Sequence, residues 1–236
     1  MVQVSDVAKM IDHTLLKAEA TADQISTLLT EAKQYEFASV CINPIYVTHA
    51  AGSLTDSPVK VCTVIGFPLG ANTATLKAME ATMAAKAGAD EIDIVAHLPN
   101  LLNADVDAIR TELSEIVTAA RAVNKQLLVK VIVESALLMK DVPPDTAEGR
   151  IAAACQAIQE AGCDFIKTST GFHSTGGATV EAVKLMAKHA DQLKVKAAGG
   201  VRNFDDAKTM IEAGASRLGC SAGVAIMQGA SGGNAY

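Results

Sequence analysis

The stretch "DFIKTSTGFHSTGG", residues 164–177, places a lysine inside an apolar strand and follows that strand with a glycine-rich loop. Phe165 and Ile166 precede Lys167, where a buried ammonium group is costly unless it is paired or loses its proton. The order of strand, glycines and helix recurs in "AAGGVRN" (197–203) and "GCSAG" (219–223). This repeated unit indicates both a fold class and a site at the ends of the strands.

Eight short apolar runs predict β-strands, and amphipathic segments lie between them. The segment after Thr21, a helix-capping residue, repeats apolar residues at helical spacing. Strands that alternate with helices are typical of a parallel sheet, and eight such units predict an α/β fold, a (β/α)8 TIM barrel. The predicted strands are 11–16, 38–44, 59–67, 91–98, 126–134, 164–170, 194–200 and 216–222.

An open doubly wound sheet is the alternative fold. The first strand lacks a following G-x-G-x-x-G motif, and eight regular repeats exceed what such a sheet usually needs. No linker or break in composition divides the 236 residues. We therefore expect a single domain over residues 1–228 and a flexible tail, rich in Gly and Ser, over residues 229–236.

Composition excludes several classes of function. A formal charge of −6 and the absence of Trp argue against a nucleic-acid partner. The five cysteines have no CxxC pair, which indicates reduced thiols and no metal site. Asp6 and Asp12 stand where a signal peptide needs a basic start, and no apolar run approaches the roughly 18 residues of a membrane helix. We expect a soluble, cytoplasmic protein without a membrane partner.

Alternation along the strands gathers charge on the inward faces of the predicted barrel. If these faces point inward, the interior holds three lysines and two carboxylates, more charge than an inert interior carries. A purely structural charge network stays an alternative. The residues are Asp93, Lys130, Glu134, Lys167 and Lys196.

Lysines in such a setting indicate amine chemistry. A free lysine with a pKa of about 10.4 is only about 0.04% neutral amine at pH 7. Desolvation and a second ammonium nearby both increase the neutral fraction. Two lysines that face one pocket therefore favour a Schiff-base mechanism, with a carboxylate to carry protons. The glycine loops of the last strands indicate a second feature, backbone amides arranged to hold a phosphate.

At this point the sequence resembles a known family. The segments that carry the resemblance run in order from about residue 11 to residue 223 and look like those of the deoxyribose-phosphate aldolases. They are "IDHTLLK", "ASVCINP", "VCTVIGFPLGA", "DEIDIV", "KVIVE", "DFIKTSTGF" and "KAAGGVR". The resemblance implies a class I, metal-independent aldolase without a cofactor. Such an enzyme reversibly cleaves 2-deoxy-D-ribose 5-phosphate, in deoxyribonucleotide catabolism, to D-glyceraldehyde 3-phosphate and acetaldehyde.

Residue roles follow from the resemblance. Lys167 corresponds to the Schiff-base lysine, Lys196 to the second catalytic lysine, and Asp93 to the carboxylate that relays protons. Some family members end in tyrosine, so we expect Tyr236 to visit the site as a proton relay. A homodimer is left open. The residues expected to bind substrate are Asp12, Thr14, Thr170, Gly171, Gly199, Gly200 and Ser221.

The chain departs from the family pattern at Ala18, His97 and Cys220, where proline, asparagine and a small or hydroxyl residue are expected. Two other classes of function compete with the aldolase. A phosphate-binding barrel isomerase needs a carboxylate base but no essential lysine amine. A sugar-phosphate sensor keeps the glycine loops without needing Lys167.

Overall fold

Eight parallel strands close into a barrel in the computed structural model, which describes residues 4–229. Each strand pairs with the next along the chain, and β8 pairs with β1. This topology confirms the predicted (β/α)8 barrel and excludes the open sheet. The predicted tail residues from 230 onward, including Tyr236, lie outside the described residues. The strands are β1 Ile11–Leu15, β2 Ser39–Ile42, β3 Lys60–Ile65, β4 Glu91–Val95, β5 Leu128–Ile132, β6 Phe165–Lys167, β7 Lys194–Ala198 and β8 Arg217–Cys220.

Helices follow the strands and surround the barrel. Thr21 caps the second helix in a reciprocal pair with Gln24, as the sequence pattern predicts. Within residues 4–229, none of the helices has the length and apolar content to cross a bilayer. The helices are α1 Val4–Ala8, α2 Ala22–Tyr35, α3 Val47–Ser53, α4 Ala74–Lys86, α5 Leu98–Leu102, α6 Val106–Arg121, α7 Ser135–Leu138, α8 Pro144–Glu160, α9 Val180–His189, α10 Phe204–Glu212 and α11 Gly223–Met227.

Several strands are shorter than predicted because other hydrogen bonds take over at their ends. β6 ends at Lys167, since the hydroxyl oxygen of Thr168 then accepts from the backbone N–H of Ala198 at 3.0 Å, in place of a ladder bond. β4 ends at Val95, and the chain turns at His97 into α5. The polar residues that follow each strand therefore lie at the rim of the barrel.

Alternation along the strands separates two buried layers. Outward residues such as Ile92, Ile94 and Ile166 pack against the helices in one continuous hydrophobic core. Inside the barrel Leu16, Cys41, Cys62 and Val64 form a small separate cluster, and Phe165 and Ile132 lie beside the lysines. The outer layer therefore supplies most of the hydrophobic stabilisation, and the interior is left to polar groups.

A buried ion pair between α4 and α6 fixes the rim above β3 and β4. Lys77 is fully buried, pairs with Glu112, and donates to the carbonyls of Gly70 at 2.7 Å and Val95 at 2.8 Å. The second carboxylate oxygen of Glu112 accepts from the backbone N–H of His97 at 3.1 Å. This pair, which the sequence did not predict, joins two helices to the loop after β3 and to the end of β4.

We predict that Lys77→Met lowers the free energy of unfolding by about 3–5 kcal/mol, because it leaves the Glu112 carboxylate buried without a cation. The double variant Lys77→Met/Glu112→Leu should be more stable than the single variant. Lys208→Met, which removes an exposed pair with Glu212, is the control and should leave stability nearly unchanged. Denaturant unfolding measures all three, and a double variant no more stable than Lys77→Met would contradict this account.

Candidate active site

Asp93 is the centre of the charged interior and has no solvent exposure. Its Oδ2 accepts hydrogen bonds from the Nζ atoms of Lys167 and Lys196, each at 2.8 Å. Its Oδ1 accepts from Lys130 Nζ at 2.8 Å and from Cys62 Sγ at 3.3 Å. Three ammonium groups from three different strands therefore share one carboxylate.

Strand register places these groups at matching heights. Asp93 on β4 pairs with Lys130 on β5, and Lys167 on β6 pairs with Lys196 on β7. Lys167 itself pairs with Ile132, so it stands one inward position nearer the carboxyl ends than Lys130 does. Of the three lysines only Lys167 keeps any exposed surface, at 3%, and it lies on the side that faces the rim.

Below the lysines lies a second layer of charge that closes the interior. Asp12 binds Lys196 with one oxygen, and its other oxygen accepts from Arg217 Nη1 at 2.6 Å. Glu91 binds Lys130 at 2.7 Å and Arg217 at 3.1 Å. The interior thus holds Asp12, Glu91 and Asp93 against the cations Lys130, Lys167, Lys196 and Arg217. Three negative charges balance three of the four cations.

The charges shift the pKa values of the network strongly. Burial raises the pKa of Asp93, but Lys130, Lys167 and Lys196 outweigh it and hold that pKa well below its usual range. Burial lowers the pKa of Lys196, yet Asp12 and Asp93 together hold it above the ordinary lysine value. The pKa of Lys130 is raised in the same way, against its burial, chiefly by Asp93. Lys130 and Lys196 are therefore fixed ammonium groups.

Backbone contacts at the rim hold the segment that follows Lys167. Val133 N donates to the carbonyl of Lys167 at 3.1 Å, and Ser135 N donates to that of Thr168 at 2.8 Å. Glu134 has a positive φ of 50° and accepts from Thr170 N at 2.8 Å through Oε1. The sequence analysis expected Glu134 inside with the lysines. It instead lies beyond β5, where the left-handed backbone turns it toward Thr170.

Two of the three predicted glycine loops meet in a pocket of about 250 Å³. Gly171, Gly199 and Gly200 all have positive φ, and Gly177 approaches Gly199 so closely that a Cβ would lie 2.4 Å from its carbonyl oxygen. The pocket is lined by Gly171, His173, Gly176, Gly177, Gly199, Gly200 and Arg202. Ser221, expected in the same role, does not line it.

Other predicted residues lie apart from the lysines. Thr14 donates to the backbone carbonyl of Asp12 at 2.7 Å. His97 lines a separate surface pocket with Asn72 and Asn100. Cys220 lies in the hydrophobic layer under the helices, because it pairs with the outward His13 and not with the inward Asp12.

Glu91 and Arg217 are two partners in the network that were not predicted from the sequence. The inward alternation gives their signal, since Glu91 shares a face with Asp93, and Arg217 shares one with Gly219, the partner of Asp12 in the register. What alternation does not give is the height at which each strand enters the barrel. Only that height brings Arg217 against Asp12 and Glu91 together.

Within residues 4–229, two sets of groups lie close enough to hold a metal ion, Cys41–Cys62–Asp93 and Asp12–Cys62–Glu91. The carboxylates in both sets already accept from ammonium groups of the network. A divalent cation would have to displace Lys130, whose charge holds Asp93 and Glu91 together. The donors therefore fit a lysine network better than a metal centre.

Comparison with known proteins gives a consistent picture. Residues 6–229 match the model of the DeoC/LacD family aldolases. A curated deoxyribose-phosphate aldolase of Staphylococcus carnosus is 54% identical over 225 residues, which are 95% of this chain and 96% of the relative. One from Carboxydothermus hydrogenoformans is 49% identical over 237 residues and covers the whole of both chains.

Solved structures extend the likeness to three dimensions. One described as a unique tetrameric structure of deoxyribose phosphate aldolase from Aeropyrum pernix superposes with a TM-score of 0.85 at 34% identity, covering 96% of this chain and 91% of that one. Another, described as QR15, an aldolase, gives a TM-score of 0.83 at 39% identity, with 94% and 95% covered.

We predict that the interior carboxylates make stability depend on pH. The pKa values of Asp12 and Asp93 lie below the ordinary 3.8, because neighbouring cations outweigh burial. The contribution of these two carboxylates to the free energy of unfolding is complete above pH 3.8. It is lost as pH falls below that value, at about 1.4 kcal/mol per pH unit for each carboxylate. Asp12→Asn should therefore be less stable than the unchanged protein at pH 7, and the gap should narrow below pH 3.8.

Denaturant unfolding measures this difference in stability between pH 7 and about pH 2.5, a range that includes the titration of an ordinary carboxylate. Asp56→Asn, at an exposed position, is the matched control and should give a curve parallel to that of the unchanged protein. A gap between Asp12→Asn and the unchanged protein that stays constant across this range would show that Asp12 has no linked role.

Proposed function

The chain belongs to the DeoC/LacD family of aldolases, and we propose that its substrate is 2-deoxy-D-ribose 5-phosphate, cleaved reversibly to D-glyceraldehyde 3-phosphate and acetaldehyde. The curated relatives described above carry the name deoxyribose-phosphate aldolase. The observation that carries the proposal is the position of Lys167, whose amine contacts Asp93 on the rim side of the buried charge network.

Position favours Lys167 as the nucleophile. Asp12, Glu91 and Asp93 match three of the four basic side chains in the interior, and Lys167 is the lysine of the network that keeps exposed surface. A lysine attacks a carbonyl as the neutral amine. Lys130 and Lys196 are more deeply buried and are held as ammonium groups between carboxylates.

In the cleavage direction the Lys167 amine adds to C1 of the open-chain sugar, and loss of water gives an iminium. The iminium draws in the electrons of the C2–C3 bond as the C3 hydroxyl loses its proton. Glyceraldehyde 3-phosphate leaves with a new carbonyl at C3, and the nitrogen holds an enamine. Protonation at C2 and hydrolysis release acetaldehyde and restore the amine.

Asp93 and Lys196 suit the proton transfers. Asp93 contacts both lysines through one oxygen, so it can pass a proton toward the reacting atoms, through a water where the distance requires one. Lys196 is an ammonium held in place by Asp12 and Asp93, and it can donate a proton as well as stabilise negative charge. We propose Tyr236 as a proton relay to the enamine carbon.

The glycine pocket suits the phosphate end of the sugar. Backbone N–H groups beside Gly171, Gly199 and Gly200 can approach an anion where a Cβ would intervene, and Arg202 lines the same pocket. Thr170 links this pocket to the Lys167 segment. We further propose that catalysis needs no metal and serves deoxyribonucleotide catabolism in the cytoplasm.

Trapping tests the covalent step. Borohydride added with acetaldehyde should convert Lys167 into N-ethyl lysine, which peptide mass spectrometry locates. Lys167→Ala should lose both adduct and turnover, and Lys196→Ala nearly all turnover. Lys194→Ala, at the exposed start of the same strand β7, is the control and should keep both. An adduct on Lys130 or Lys196 would reassign the roles, and an absent adduct would favour the isomerase or the sensor.

The phosphate pocket gives a prediction about KM. Gly200→Val should raise KM for the phosphorylated sugar roughly tenfold, because a side chain at φ 91° displaces the amides that bind phosphate. KM for unphosphorylated deoxyribose should change little. Gly162→Val, at φ 76° and far from the pocket, is the control for backbone strain. Equal changes for both sugars would remove the phosphate assignment.

A further inference from the structure

Two thiols that the proposed mechanism does not use lie side by side inside the barrel. Cys41 on β2 and Cys62 on β3 are direct partners in the strand register, and both face the interior with Leu16 and Val64. Neighbouring strands lie about 4.8 Å apart, within the range of about 4.4–6.8 Å between the Cα atoms of a disulfide. The two sulfurs and a carboxylate oxygen of Asp93 lie within 4.8 Å of one another. Forming an S–S bond therefore needs no large movement of the backbone.

The two sulfurs are electrostatically unequal. Contact with Cys62 lowers the pKa of Cys41 against its burial and the charge of Asp93, and the charges of Lys196 and Lys167 contribute in the same direction. Burial, the bond to Cys41 and the charge of Asp93 raise the pKa of Cys62. Since the thiolate is the reactive form, Cys41 is the attacking sulfur and Cys62 the resolving one.

The other cysteines lack this arrangement. Cys155, Cys163 and Cys220 lie in the outer hydrophobic core, and burial raises the pKa of each to about 12. All five cysteines are buried and free, so burial alone does not separate the pair from the others. What separates it is the direct register, the closeness of the two sulfurs and the contact of Cys62 with Lys130.

We propose that Cys41 and Cys62 form an oxidisable dithiol that reacts with hydrogen peroxide and inactivates the site as a disulfide. The Cys41 thiolate attacks one peroxide oxygen, the O–O bond breaks, and the departing hydroxide takes a proton to leave as water. Cys62 then attacks the sulfur of the Cys41 sulfenic acid, and a second water leaves with the Cys62 proton. Two thiols supply the two electrons that reduce one peroxide to two waters, and an external dithiol reverses the change.

The link to activity runs through Asp93. Cys62 donates to Asp93 Oδ1 at 3.3 Å and accepts from Lys130 Nζ at 3.2 Å. Disulfide formation removes the S–H donor and draws the sulfur toward β2. Asp93 then loses a fixed hydrogen bond on the oxygen opposite the one that holds Lys167 and Lys196. Oxidation should therefore lower kcat, whereas KM for the phosphorylated sugar, set at the glycine loops after β6 and β7, should change little.

Access to the thiols follows from the site itself. Both thiols belong to the cluster of Leu16, Cys41, Cys62 and Val64, against which the partly buried Phe67 packs from the loop after β3. Hydrogen peroxide is much smaller than a sugar phosphate, so we expect it to enter beside Phe67. Large reagents should not reach the buried thiols.

The experiment treats the reduced full-length enzyme with hydrogen peroxide and follows both turnover and peptide masses. We expect a peptide linked through Cys41 and Cys62, a fall in kcat of about tenfold or more, and recovery of both on addition of dithiothreitol. Cys41→Ser and Cys62→Ser should each keep most of their own starting activity after the same treatment. Cys155→Ser, which removes an equally buried thiol outside the barrel, should behave like the unchanged enzyme.

Two results would overturn the proposal: absence of the linked peptide, or a linked peptide with unchanged kcat. If peroxide inactivated both serine variants as fully as the unchanged enzyme, the proposal would also fail, because the loss of activity would then arise from another residue. The activity readout rests on the proposed aldolase function, but the linked peptide does not. A chain that forms the disulfide yet fails the borohydride trap would therefore contradict the proposed function alone.

Discussion

The shared carboxylate of Asp93 is the interaction on which the interior depends. Three lysine side chains and a thiol donate to its two oxygens, and without it Lys167 would have no carboxylate partner in the network while Lys130 and Lys196 would each lose one of theirs. Removing the carboxylate would leave three lysines with two carboxylates below them. The same contacts that make burial of charge tolerable also place a proton-transferring group beside the lysine that we propose as nucleophile.

A charged interior is possible because the outer layer of the barrel supplies most of the hydrophobic stabilisation. Outward Val, Ile and Ala residues pack against the helices in one continuous core, so folding does not need apolar packing at the barrel axis. At the rim, the buried Lys77–Glu112 ion pair likewise has all its charge satisfied by neighbouring groups, and it joins a loop and a strand end to two helices. Buried charge in this protein is thus placed where neighbouring backbone and side chains satisfy it.

The site at the rim has two parts, one formed by side chains and the other by backbone groups. Side chains from β4, β6 and β7 form the part that we propose to be reactive, and their geometry is fixed by strand pairing. The glycine loops form the other part, where we propose that the backbone itself provides the groups that bind phosphate. Contacts between residues 133–135 and the segment after Lys167 join the two parts. A reaction at one end of a phosphorylated sugar requires such a fixed separation.

Periodicity in the sequence determined the eight strands, their alternation with helices and the inward position of Asp93, Lys167 and Lys196. Those features depend on local spacing, which a single strand already displays. Resemblance to a family added the roles that we propose for them. Glu134 was misplaced because alternation fails where the backbone becomes left-handed beyond β5.

Tertiary structure alone decided the partners of Arg217 and Glu91, the Lys77–Glu112 pair and the pairing of Cys41 with Cys62. Each joins residues from separate strands or helices, and alternation along one strand fixes a face but no height. Closure of the barrel sets those heights, because the stagger between neighbouring strands decides which inward side chains meet.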